Sequence, residues 1–176
     1  MQAPVYSIES SMEEKIGGVG TIIAHEITHA FDYSGSQFDE SGNQANWWQE
    51  TDRENFIKET QKIVNYYNGF KLNDQNINGI LTLSENIADL GAVTCITEYA
   101  LTNQLNFKDV YIAYTKLLAI KIRPEALLKQ ILKDVHSPAK IRVNAVLSAT
   151  DEFYTAFDIK ETDGMYIPKE ERPSLW

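Results

Sequence analysis

A pair of histidines four residues apart constrains this chain more than any other feature. They stand in His25-Glu26-Ile27-Thr28-His29, the pattern H-E-x-x-H, within a helical periodicity over 13–32. Residues four apart project from one helix face a turn apart. Two imidazole nitrogens so placed can share one zinc ion at about 2.0–2.1 Å each. Glu26 lies beside them, where it can take a proton from water held at the ion. The spacing also arises by chance on polar helix faces. Here Val19, Ile22, Ile23, Ile27, Ala30 and Phe31 make the helix largely apolar, which predicts that it is buried. Buried polar groups without partners are costly, and a metal supplies partners. Gly17, Gly18 and Gly20 occupy the first half of the same helix. Each costs about 1 kcal/mol against alanine there, so close packing of another backbone is expected.

A catalytic zinc site needs a third protein ligand and leaves a position for water. No third histidine follows His29 at short spacing. The third ligand is therefore expected to be a carboxylate on another helix. Glu85, in Ser84-Glu85-Asn86-Ile87-Ala88-Asp89, is the best candidate. Asp89 shares its face four residues on, and could accept the other ring N–H of a ligand histidine and so fix its tautomer. A competing reading pairs Glu85 with Thr82 in a capping box, T-x-x-E. The histidine pair favours the ligand reading. The third histidine, His136, reads by default as a surface residue at a helix end, and Arg142 as an ion-pairing arginine. Together they could instead supply two donors to the oxygen that gains charge when a peptide carbonyl is attacked.

The remaining pattern is helical. Helices are expected over 47–67, 83–101, 108–122, 125–135, 141–147 and 151–157, with Asn/Gly-rich connections and no convincing strand pair. The length of 176 residues fits one domain, and the class is mainly α. With 25 acidic and 16 basic residues, the chain has no electrostatic footprint for nucleic acid. One cysteine, Cys95, excludes an internal disulfide. No apolar run is long enough to span a membrane, and residues 1–14 have no signal-peptide pattern.

Taken together these segments resemble the neprilysin and endothelin-converting-enzyme family, including bacterial oligopeptidases O. Gly17-Gly18-Val19-Gly20 through Phe31-Asp32 is similar to the family's zinc helix. Glu85-Asn86-Ile87-Ala88-Asp89-Leu90-Gly91 is similar to its third-ligand motif. Arg123-Pro124-Glu125, Asp134-Val135-His136-Ser137-Pro138, Arg142-Val143-Asn144 and Asp151-Glu152-Phe153 resemble downstream blocks, and Trp176 matches the family's terminal tryptophan. The resemblance implies a helical zincin-like (gluzincin) catalytic subdomain and a zinc-dependent endopeptidase acting on oligopeptides. It implies that His25, His29 and Glu85 bind zinc, that Glu26 is the general base, and that Asp89 orients a ligand histidine. It further implies that His136 stabilises the tetrahedral intermediate and Arg142 binds a substrate carbonyl. Leu117 and Leu118 fall where the family lines the pocket for the side chain after the scissile bond, and Asp32 matches an aspartate read as structural support.

Ala24, Ala92 and Tyr33 depart from the family pattern, and the tail lacks the cysteine of animal members, which favours a bacterial one. Family members are several times longer. The chain is therefore expected to be the C-terminal part of such an enzyme, with Trp176 a native end and the N-terminal part of the cleft supplied by missing sequence. It should expose apolar surface and cleave poorly alone. The alternative function is a non-catalytic helical module that binds zinc or a partner.

Overall fold

The computed structural model describes residues 2–175; the terminal Trp176 match lies outside them. The helical run around the histidine pair is built in sections. Helix α1 (Met12–Lys15) opens with a capping box, in which Ser11 Oγ accepts from the Glu14 N–H and the Glu14 carboxylate accepts from the Ser11 N–H. A π-helical turn follows at Ile16–Gly20, then α2 at Thr21–Thr28, then a 3₁₀ turn at His29–Phe31. A Cβ on Gly17 would overlap the Val110 carbonyl and Ala113 of a neighbouring helix, and one on Gly18 would strike the carbonyl of Val5. Gly20 has ordinary room. Another backbone therefore does press on this segment, at two of the three positions.

The next elements are α3 (Glu50–Asn68), α4 (Leu83–Thr102), α5 (Phe107–Leu117), α6 (Pro124–Lys133), α7 (Ala139–Ala149) and α8 (Asp151–Phe157). Helix α5 stops short of the expected 122, and α7 is longer than expected at both ends. Between α3 and α4 lies a minimal antiparallel hairpin, β1 (Lys71–Leu72) with β2 (Gln75–Asn76). It was not expected. Its turn residues Asn73 and Asp74 both take positive φ, the geometry of a tight hairpin turn. The class remains mainly α.

Helix α4 is the axis of the fold. It is buried along most of its circumference and packs against α2, α3, α5 and α7. One apolar cluster gathers Ile63, Tyr67, Ile87, Ile131 and Ile141 around its first half. A second gathers Val93, Ile96, Tyr111, Tyr114 and Phe153 around its second half, with Leu90 touching both. Two tyrosines pin α7 in place: Tyr114 Oη donates to the Arg142 carbonyl and Tyr66 Oη to the Ala145 carbonyl, each at 2.8 Å.

The expected burial of the histidine helix is only half met. His25 and Thr28 are buried and Ile22 is half-buried, but Ile23, Ile27 and Phe31 are exposed at 54%, 63% and 44%. Ile23 and Ile27 lie on the face turned away from α4, which among the described residues is less covered than the face toward it. Among the described residues no helix is long and apolar enough to cross a membrane.

The glycine packing has a measurable sign. Gly→Ala in a helix normally gains about 1 kcal/mol. Gly17→Ala should instead lose about 1–3 kcal/mol by overpacking against α5, while Gly20→Ala should be neutral or stabilising. Urea unfolding of the two variants tests the contrast; a gain for Gly17→Ala would refute the close approach.

Candidate metal centre

Three elements bring the predicted residues together. His25 comes from α2, His29 from the 3₁₀ turn that continues it, and Glu85 from the first turn of α4. His25 Nε2 and His29 Nε2 are 3.1 Å apart. Glu85 Oε2 lies 3.2 Å from the first and 3.6 Å from the second. Ligand atoms about 2.0–2.1 Å from one tetrahedral ion stand roughly 3.3–3.4 Å apart, so the three edges have the size of such a site.

Proton placement sharpens the fit. His25 Nδ1 is 2.9 Å from Asp89 Oδ1. Burial works against the Asp89 anion, but the Arg142 guanidinium and His25 outweigh it and hold its carboxyl below the usual range. An ionised carboxylate only accepts, so His25 Nδ1 carries a proton toward it. His29 Nδ1 lies likewise 2.6 Å from Asp32 Oδ2. With Nδ1 protonated, a neutral imidazole presents a bare lone pair at Nε2. Glu85 Oε2 faces these atoms, is buried, and receives no hydrogen bond of proper geometry. Two bare ring nitrogens and a carboxylate oxygen so close together are unfavourable unless a metal ion or a proton joins them. The donor set of two imidazoles and one carboxylate suits zinc. Without an ion, a proton takes part of that role. Burial opposes charge on His25, yet Asp89 and Glu85 raise its pKa to about 9. Glu85 is also opposed by burial, but its histidine neighbours keep it ionised and its pKa lowered.

The remaining candidates surround this cluster. Glu26 is exposed on the same helix and makes no hydrogen bond or ion pair among the described residues. His136 reaches inward, its Nε2 3.0 Å from Glu85 Oε2. Arg142 grips Asp89 with both Nε and Nη2 at 2.7 Å. One edge of its fork is therefore turned onto a protein carboxylate, beside His25, and its other donors stay uncommitted to Asp89. The capping-box reading of Glu85 falls away: Thr82 makes no side-chain cap, and its hydroxyl donates to the Asn78 carbonyl and accepts from Asn86 Nδ2. Leu118 lines an apolar cavity of about 370 Å³ with Ile120, Ile122, Leu127, Pro138 and Val143; Leu117 does not line it.

Sequence reasoning missed several supports. Asp134 accepts from both the backbone N–H of His136 at 2.9 Å and its Nδ1 at 3.1 Å. The Asp-x-His spacing is an Asx-turn pattern and could have been read. Ser137, fully buried, donates to Asn86 Oδ1 at 2.8 Å and ties the His136 loop to α4. These two residues are 51 apart in the chain, and no local signal links them.

Known proteins share this arrangement of sequence and fold. The profile of peptidase family M13 matches residues 1–172. A neutral endopeptidase of Lactobacillus helveticus is 40% identical over 176 residues, covering all of this chain and 27% of that protein. The inhibitor complex of the Mycobacterium tuberculosis zinc metalloprotease Zmp1 superposes with a TM-score of 0.92 at 28% identity, over 98% of this chain and 29% of that one. PepO from Lactobacillus rhamnosis HN001 superposes with a TM-score of 0.90 at 35% identity, over 98% and 28%. The chain thus spans about a quarter of the length of the relatives it matches. With almost its whole length matched by one profile, the chain belongs to peptidase family M13.

Proposed function

We propose that this chain is the zinc-binding part of a metalloendopeptidase that hydrolyses short peptides, with His25, His29 and Glu85 as its metal ligands. The observation that carries the reading is the convergence of Glu85 Oε2, buried and without a well-formed hydrogen bond, on the Nε2 atoms of His25 and His29 at 3.2 and 3.6 Å. Membership of family M13 and the relatives named neutral endopeptidase support it.

Zinc, when bound, supplies a Lewis acid that activates water and polarises a peptide carbonyl. Glu26 takes the proton of the attacking water and later delivers it to the leaving amine. Its exposure and lack of a protein partner leave its carboxylate free for that work. Asp89 holds the His25 proton at Nδ1 and so keeps Nε2 bare. His136, steadied by Asp134, directs its Nε2 to the side of Glu85; as the imidazolium, with Nδ1–H held by Asp134, it donates from Nε2 to the carbonyl oxygen as charge develops there. Arg142 spends two of its five donors on Asp89; those that remain can hold a substrate carbonyl. The apolar cavity beside Leu118 would receive an apolar side chain after the cut bond.

The exposed side chains of Ile23 and Ile27 beside Glu26 support a second element of the proposal. The rest of the enzyme covers this face and completes the substrate cleft. The isolated chain then holds zinc but cleaves poorly.

Metal analysis should find one zinc per wild-type chain and none in His25→Ala or Glu85→Ala; retention in either would exclude that residue as a ligand. Chelation should lower the melting temperature, since zinc at a thousand times its Kd stabilises by about 4 kcal/mol. In the full-length enzyme, Glu26→Gln should keep its zinc while kcat falls roughly 10²–10⁴-fold. Stoichiometric zinc in a full-length enzyme without peptidase activity would favour the non-catalytic module.

A further inference from the structure

His136 reaches toward Glu85 from an irregular segment, 134–138, between α6 and α7. Packing alone cannot fix it there, since its side chain is 42% exposed. Asp134 sets the tilt of the ring and not its distance from α4, because that carboxylate belongs to the same segment and is itself 45% exposed. A tie to the helix of Glu85 comes from the next residue. Ser137 is fully buried, and its Oγ is 2.8 Å from Oδ1 of Asn86, the residue after Glu85. Neighbouring residues of α4, 85 and 86, thus face neighbouring residues of the segment, 136 and 137.

The buried bond runs in one direction. It ends a chain that starts at the Asn78 carbonyl, which can only accept. The Thr82 hydroxyl donates to that carbonyl at 3.0 Å. With its hydrogen so spent, Thr82 Oγ1 accepts from Asn86 Nδ2 at 2.8 Å. The amide is thereby turned with Oδ1 toward Ser137, whose hydroxyl must donate. Thr82 and Asn86 are 3% and 1% exposed, so solvent does not stand in for a lost partner.

We propose that Ser137 and Asn86 are a positioning pair for the reaction: their hydrogen bond sets the reach of His136 toward the substrate carbonyl oxygen. This rests on the role of His136 given above and names what supports it. Removing the Ser137 hydroxyl strands Asn86 Oδ1 in the interior, and the amide cannot turn without giving up Thr82. The segment then shifts to admit another donor, and His136 leaves its station, while His25, His29 and Glu85 keep theirs. A misplacement of about 1 Å can cost roughly 100-fold in rate.

The experiment compares kcat, KM and zinc content in four forms of the full-length enzyme: wild type, Ser137→Ala, His136→Ala and the double variant. Ser137→Ala should keep its zinc and its KM while kcat falls roughly 10–100-fold. His136→Ala should lose about 10²–10³-fold, and adding Ser137→Ala to it should cost nothing further. That comparison separates positioning from general structural support, which lowers kcat in both backgrounds alike. Unchanged kcat in Ser137→Ala, or an equal further loss in the double variant, would overturn the inference. Should Ser137→Ala not fold, Ser137→Cys takes its place in the same comparison, filling the space with a much weaker donor. If neither folds with its zinc, the pair is structural and the inference falls. Failure of the reading beneath it looks different: His136→Ala would then cleave like wild type, or wild type would hold no zinc.

Discussion

The buried carboxylate of Asp89 is the interaction on which the rest of the structure depends. It sits on the central helix, 3% exposed; its Oδ1 is shared by His25 of α2 and Arg142 Nη2 of α7, while its Oδ2 accepts from Arg142 Nε. Three helices are thereby set at fixed distances by one anion. A carboxylate so deep is tolerable only because its partners satisfy it, and stripping one partner from a buried ion pair typically costs about 3–5 kcal/mol. The same contact that fixes the helices fixes the ring of His25. Fold and site share one electrostatic joint.

Much of the centre was legible from residue spacing. The i, i+4 rule put His25 and His29 on one face, and the absence of a third nearby histidine pointed to a distant carboxylate. Glu85 and Asp89, themselves four apart, supplied one atom toward each end of His25. Identifying Glu85 over its capping alternative needed the histidine motif as context, since T-x-x-E is an equally good local pattern. The Arg142 fork was not legible, because a bidentate pair between α4 and α7 leaves no periodic trace in either helix.

Where the sequence misled, the physical reason is specific. Apolar residues such as Ile23 and Ile27 suggested a buried helix, yet apolarity shows only that a face seeks cover, and the described residues leave these two exposed. Helix α5 ended early because the apolar run through Ile122 continues as an irregular segment that lines a cavity with α6 and α7. The hairpin at Asn73-Asp74 escaped notice because its strands have two residues each, too short for alternation to register.

The cluster around Glu85 also has an order of assembly written into it. Its parts run from residue 25 to residue 142, and the cation that neutralises Asp89 is the last of them to be synthesised. A growing chain that has already released both histidines and Glu85 still lacks the helix that makes the deep anion tolerable. The final geometry of this cluster is therefore completed late in biosynthesis, and a ribosome stalled before α7 would hold His25, His29 and Glu85 without the guanidinium that anchors Asp89 beside them.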